Sequence, residues 1–378
     1  MKTKLALMIA ATLASSGAYA AWDNKAVVDL DDTVGTTAEI YQINNAGMND
    51  ASIKAVETVD STLKISQDGV NHEGVIKVYN VEGGSDLSID QTGGHNTAKI
   101  TSEQGFNDYY NDTVAVTQVG NQNDTRVILD GGTDNAYVQL NASGNNNVSK
   151  VKLDEGNSAS VLGDVNGNNN AADVNIDHSD FNGVVYTQND GNQELDVDIK
   201  RDSNGNFVSA YQDGYDNYAK VAVKDGSNGN IALVAQSGTE NDAVINVGNQ
   251  SNVNIIGVGQ LGENNEANVS VTNYADFNAV GIGQTGDDNQ ANVDIEHGDG
   301  NEVYITQTGN ENVADVDVLG GFSDLNDISV TQTSARAEAN VYVDWSYDNT
   351  INVNQNYGDY ANVSVTRGGW NTVTVTQK

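Results

Sequence analysis

The chain is 378 residues long, contains neither cysteine nor proline, and sets 53 Asp and Glu against 17 Lys and Arg, for a formal net charge of −36. That balance opposes binding to nucleic acid or anionic membrane, where phosphate neutralisation needs Lys and Arg, and no nucleic-acid partner is expected. Without cysteine, stability has to come from packing and backbone hydrogen bonds, not from covalent staples.

The first element is a leader. Lys2 and Lys4 precede the apolar stretch Leu5 to Leu13, and Ala18-Tyr19-Ala20 supplies a small-residue cleavage site. The apolar run falls short of the roughly 20 residues that span a bilayer, so residues 1–20 read as a secretory signal peptide and the mature chain has no membrane span. Residues 21–35 form a short lead with no pattern of their own.

From residue 36 to 378 the sequence repeats. Glutamine recurs at Gln42, Gln67, Gln91, Gln118, Gln139, Gln188, Gln212, Gln236, Gln260, Gln284, Gln307, Gln332, Gln355 and Gln377, with Asp164 in the one gap. Six residues before each stands a small polar residue: Thr36, Ser61, Ser85, Asp112, Thr133 and Ser158, then Asn182, Asn206, Asn230, Asn254, Asn278, Asn301, Asn326, Asn349 and Asn371. A period of this length marks a solenoid.

One coil shows the local logic. In Asn278-Ala-Val-Gly-Ile-Gly-Gln284, alternation puts Asn278, Val280, Ile282 and Gln284 on one side of a strand. After a turn at 285–288, Asn289, Ala291, Val293 and Ile295 take the matching side, while Gln290, Asn292, Asp294 and Glu296 face water. Each coil therefore reads as strand, tight turn, strand, loop. Glycine two residues after the glutamine, as at Gly238 and Gly262, fits a turn with unusual backbone angles.

The predicted fold is all-β: a parallel β-solenoid of about 14.5 coils, a rod of roughly 70 Å, whose two stacked sheets carry Asn and Gln ladders between coils. In a ladder each buried amide is satisfied by its copies above and below. Proline is absent for a related reason, since it would remove a backbone donor from any strand it entered.

Two coils depart from the pattern. Around Gln139 the loop Asn141 to Asn147 reads as holding two extra residues, and Asp164 places a carboxylate in a glutamine slot, so that coil is expected to open locally. Past it, a shifted register turns Asn170, Ala172, Val174 and Ile176 inward.

The last segment, Asn371-Thr-Val-Thr-Val-Thr-Gln377, is an uncharged β-branched half-coil, the composition of an adhesive strand edge. Head-to-tail addition would pair Asn371, Val373, Val375 and Gln377 of one copy with Thr36, Ala38, Ile40 and Gln42 of the next, a contact that does not close and so makes filaments. No catalytic residues, metal site or cofactor are expected. His72, His95, His178 and His297 lie in different coils, with His72 in an asparagine-like slot. No calcium-binding repeat is present, and threonine ranks of the kind that bind ice occur only at Thr372, Thr374 and Thr376. A capped, secreted β-solenoid adhesin that does not polymerise is the alternative.

The repeat resembles the curlin repeat of curli amyloid, Ser-x5-Gln-x-Gly-x2-Asn-x-Ala-x3-Gln. Its middle stands intact at Gln91 to Ala98, Gln212 to Ala219, Gln236 to Ala243, Gln260 to Ala267 and Gln284 to Ala291. The final glutamine of the pattern is aliphatic here, at Val223, Val247, Val271, Ile295 and Val318, and the repeats are nearly three times as many as in familiar curlins. The resemblance implies a homopolymeric fibre at the bacterial surface, serving biofilm matrix and adhesion, with a nucleating paralogue and an outer-membrane secretion pore as partners.

Overall fold

A computed structural model describes residues 9–14, 24–31, 35–43, 47–56, 60–79, 84–103, 112–130, 135–154 and 158–378. Among them every regular element is a β-strand. The chain divides into two compact units, Met1–Gln188 and Asn189–Lys378. Each is a parallel β-solenoid.

In the first unit the strands Thr37–Ile43, Thr62–Val70, Asp86–Gly94, Thr113–Asn121, Tyr137–Asn145 and Ser160–Asn168 follow one another in one sheet. The intervening strands, Lys25–Leu30 through Ala171–Asp177, build the other. Period-two alternation decides which residues meet: Ile65, Ile89 and Val116 point inward from the first sheet, Ile76, Ile100 and Val127 from the second, and all are buried. Burying each such side chain contributes about 1.5–3 kcal/mol, which no single coil could accumulate alone.

The lead is not featureless, because Lys25–Leu30 pairs with Asp50–Ala55, starting from Lys25 beside Asp50. Solenoid pairing thus begins ahead of Thr36. Within the predicted leader, the backbone of Ile9–Ala14 runs as a strand beside Thr37–Ile43, Leu13 opposite Gln42. The remainder of the leader, and Thr133, lie outside the described residues.

Both irregular coils are corrected by the register. Ala142, not Gln139, stands beside Gln118, and Val165, not Asp164, stands beside Ala142. Gln139 points outward, where its Oε1 accepts from the Tyr137 hydroxyl at 2.9 Å, and Asp164 is exposed. The buried carboxylate therefore does not exist, and neither does the reason for local opening. Counted from Ala142, Asn147 falls at the same offset as Asn123 does from Gln118, so the loop holds no extra residues. The polar slots ahead of these strands are Ala136 and Ala159, and Ser158 sits in the preceding turn with φ 55. Asn170, Ala172, Val174 and Ile176 face inward as read and are all buried, but without a shift, since Asn170 follows Val165 at the same offset as Asn123 follows Gln118.

The second unit repeats the plan with little variation. Phe207–Tyr215, Ile231–Thr239, Ile255–Glu263, Ala279–Thr285, Glu302–Thr308, Asp327–Gln332, Thr350–Gln355 and Thr372–Thr376 form one sheet, in register glutamine to glutamine from Gln212 to Gln355. Glu194–Lys200 through Tyr360–Thr366 form the second.

The turn between paired strands explains the recurring glycine. Gly262 adopts φ 127, and a Cβ there would stand 2.0 Å from the carbonyl oxygen of Gly286 in the next coil. Having no Cβ, glycine lets coils stack that closely.

Candidate functional site

Glutamine side chains enter the core from the end of each first strand, where alternation turns them inward. In the first unit, Gln42 Nε2 donates to Gln67 Oε1 at 2.8 Å, Gln67 to Gln91 at 2.9 Å and Gln91 to Gln118 at 2.8 Å. In the second, the chain of donors runs from Gln212 through Gln236, Gln260, Gln284, Gln307, Gln332 and Gln355 to Gln377, each step 2.9 or 3.0 Å. Each Nε2 also reaches a backbone carbonyl, as Gln260 does to Asn265 at 2.9 Å. Gln188 is buried and donates to the Ala171 carbonyl at 2.9 Å.

The glutamine ladder of the first unit stops at Gln118. With Ala142 in the next slot, Gln118 Nε2 turns to the Thr125 hydroxyl at 3.0 Å, so donor and acceptor stay matched inside the core.

The asparagine ladder runs with opposite polarity. Asn230, Asn254, Asn278, Asn301, Asn326, Asn349 and Asn371 each donate Nδ2 to the Oδ1 of the preceding rung, starting at Asn206, over 2.7 to 3.1 Å. Backbone N–H groups of the same residues add a second bond, as from Asn254 to Asn230 Oδ1 at 2.9 Å. Asn182 is buried in the equivalent position of the first unit, and its carbonyl accepts from the Ser160 N–H at 2.9 Å.

Two ladders were missed as ladders. Asparagine five residues after the glutamine forms one: Asn241, Asn265, Asn289 and Asn312 each donate to the preceding Oδ1, while Nδ2 of Asn241 also holds the turn carbonyl of Gly262 at 3.0 Å. Its fixed spacing from glutamine was the available signal. His72 takes a slot of this kind, buried, its N–H on Asn49 Oδ1 at 3.0 Å, and burial holds its ring below the ordinary histidine pKa. A shorter serine ladder links Ser203, Ser227, Ser251 and Ala275 through backbone N–H to Oγ bonds of 3.1 to 3.2 Å.

The proposed edges differ in exposure. Thr36, Ala38, Ile40 and Gln42 are buried, and Gln42 Oε1 has no hydrogen-bond partner among the described residues. At Thr372–Thr376, Asn371 is exposed, while the inward-facing Val373, Val375 and Gln377 are only half-buried. Gln377 Nε2 donates to the Tyr360 carbonyl at 3.0 Å, matching the Gln355 bond to Glu338.

Carboxylates line the outer side of the second sheet of this unit. Asp317 stands beside Asp294 in register, and desolvation, together with the charges of Asp315 and Asp294, pushes its pKa up to about 6. Among the described residues no three His, Asp or Glu side chains converge to hold a metal ion.

No protein-family model matches the chain, and no curated protein matches it.

Proposed function

We propose that this chain is a secreted, non-enzymatic subunit of a curli-type amyloid fibre, released from its leader after Ala20 and growing head to tail outside the bacterial cell. The observation that carries this reading is the polarity of the glutamine ladder. Its first rung, Gln42, offers a buried acceptor with no partner among the described residues, and its last, Gln377, is oriented with Nε2 as the onward donor. Setting the Gln377 end of one copy on the Gln42 end of the next continues the ladder. Setting like ends together opposes donor to donor or acceptor to acceptor, which a buried site penalises by about 1–3 kcal/mol per unmet group.

The half-buried Val373 and Val375 support the same contact, since a further coil would finish their burial. A heterologous contact of this kind does not close and builds a filament. By resemblance to curlins, the partners are further copies of the chain, a nucleating paralogue and an outer-membrane secretion pore, and the role is matrix scaffold and adhesin.

Seeded growth of the mature chain tests this. Fibres of the full mature protein should recruit its own monomer, and deletion of residues 371–378 should slow elongation about ten-fold or more. Equal rates for the two, or fibres without a meridional spacing of about 4.7 Å, overturn the reading.

One observation favours the alternative, a capped adhesin that stays monomeric. The strand Ile9–Ala14 lies along Thr37–Ile43, the edge that would receive the next copy. A chain that kept this segment would have that edge occupied.

A further inference from the structure

Five successive strands of the second unit, Phe207–Tyr215 to Glu302–Thr308, present an outer face rich in exposed apolar and aromatic side chains. Over 231–239, 255–261 and 279–285 in the three central strands no outward position is charged, and large apolar side chains stand in water: Leu233 is 41% exposed, Ile255 53% and Leu261 54%. In the same coils, the other sheet carries Asp242, Glu266, Asp294 and Glu296 on its outer side, and the turns carry Glu240, Glu263, Asp287 and Asp288.

Beside Tyr211 and Leu261 lies a hollow of about 290 Å³ floored by Gly259 and Gly283. A Cβ at Gly283 would meet nothing within 4 Å, one at Gly259 only the Ile282 carbonyl oxygen at 3.9 Å, an ordinary contact, and neither residue has positive φ. Neither turn geometry nor packing within the chain therefore requires glycine there, although it weakens a strand by about 0.5–1 kcal/mol relative to alanine. On the next strand the Tyr304 ring lies against Gly281.

We propose that this face is an interface between two copies of the chain, packed sheet on sheet, with the apolar ridge of each copy seated in the glycine hollow of the other. Three arguments select a second copy as occupant. With a net charge of −36, copies repel through their acidic surfaces, and this face, which carries carboxylates only towards its rim at Asp213, Glu263 and Glu302, lets them approach with little of that repulsion. The face carries both ridge and hollow, the self-complementarity an isologous contact needs. Its extent, about 23 Å along seven-residue strands by about 24 Å across five coils, gives roughly 1,100 Å² from two copies, enough for a specific interface. The contact is lateral and independent of the strand edges used for head-to-tail growth.

The test is sedimentation velocity on the mature full-length chain and on its 371–378 deletion, in about 0.5 M salt, which screens the residual repulsion. Both should form dimers, so that failure of end-to-end growth and failure of lateral pairing are separately visible. Leu233→Glu with Leu261→Glu should raise the dimer dissociation constant at least about ten-fold, while the matched charge change Asn246→Glu with Thr272→Glu on the other sheet should raise it far less. Gly259→Val with Gly283→Val fills the hollow and favours the strand, so it should weaken pairing while raising the unfolding temperature, which separates lost contact from lost fold. A wild-type chain that stays monomeric at about 100 µM, or hollow-filled and Leu→Glu variants that pair like wild type, overturn the proposal.

Discussion

Tyr186 and Gly163 depend on each other. Tyr186 is buried, and a Cβ built on Gly163 would lie 2.3 Å from its hydroxyl oxygen, so the ring fills the space that a side chain at Gly163 would need. Gly163→Ala should therefore destabilise the first unit by about 1–3 kcal/mol through overpacking, and Gly163→Ala with Tyr186→Val should recover much of the loss. Chemical denaturation of the two variants checks the coupling. This pair was hidden in the sequence because assigning Asp164 to the glutamine slot turns Gly163 outward. The inward face itself was legible, since alternation of Val, Ile and Ala needs no knowledge of the partner strand. Gln139 and Asp164 were misplaced for a physical reason: a glutamine slot accepts Ala142 or Val165 once Thr125 offers a hydroxyl to Gln118. Side-chain identity in a slot is negotiable.

At the scale of the coil, the turn glycine is much less negotiable. Gly144 and Gly167 follow Ala142 and Val165 by two residues with φ 115 and 123, just as Gly120 follows Gln118 with φ 115. Reading glycine and the asparagine three residues beyond it, instead of glutamine, would have placed both irregular coils correctly, because backbone angle and coil spacing favour glycine there, although Asp190 with φ 70 takes the place after Gln188 and Ser334 the one after Gln332. Gly262→Ala should cost at least about 2 kcal/mol, combining an unfavourable φ with a clash against the Gly286 carbonyl, and should lower the thermal midpoint of the full chain. Gly248→Ala gives the contrast: a Cβ there meets nothing within 4 Å and φ is not positive, so the midpoint should stay within about 1 °C. Equal losses for the two would mean that the turn geometry is not what selects glycine. The second asparagine ladder belongs to the same scale. Its donors hold the turn carbonyls, as Asn265 holds Gly286 at 2.7 Å, so ladder and turn specify one coil spacing together.

For the molecule as a whole, charge opposes both folding and association, and acid relieves it. Asp317, raised to about 6 in the fold against about 3.9 in an unfolded chain, binds its proton more tightly when folded. Between those values the native state holds more protons than the unfolded one, so stability falls as pH rises and is gained as pH drops through about 6. Burial raises Asp294, Asp315 and Asp242 as well, so they act in the same direction. His72 opposes them, because its pKa is lower in the fold, so the unfolded chain takes up the proton first and stability falls as pH drops through the ordinary histidine range. Thermal unfolding of the mature chain should therefore show a higher midpoint at pH 5 than at pH 7, and fibre growth should quicken over the same interval as repulsion between copies is neutralised. Asp317→Asn should raise the midpoint at pH 7 and shrink the gain on acidification. A midpoint that falls between pH 7 and pH 5 would place the controlling titration at His72 instead of the carboxylate row, and the acidic face would then be a solvated surface without a part in timing assembly.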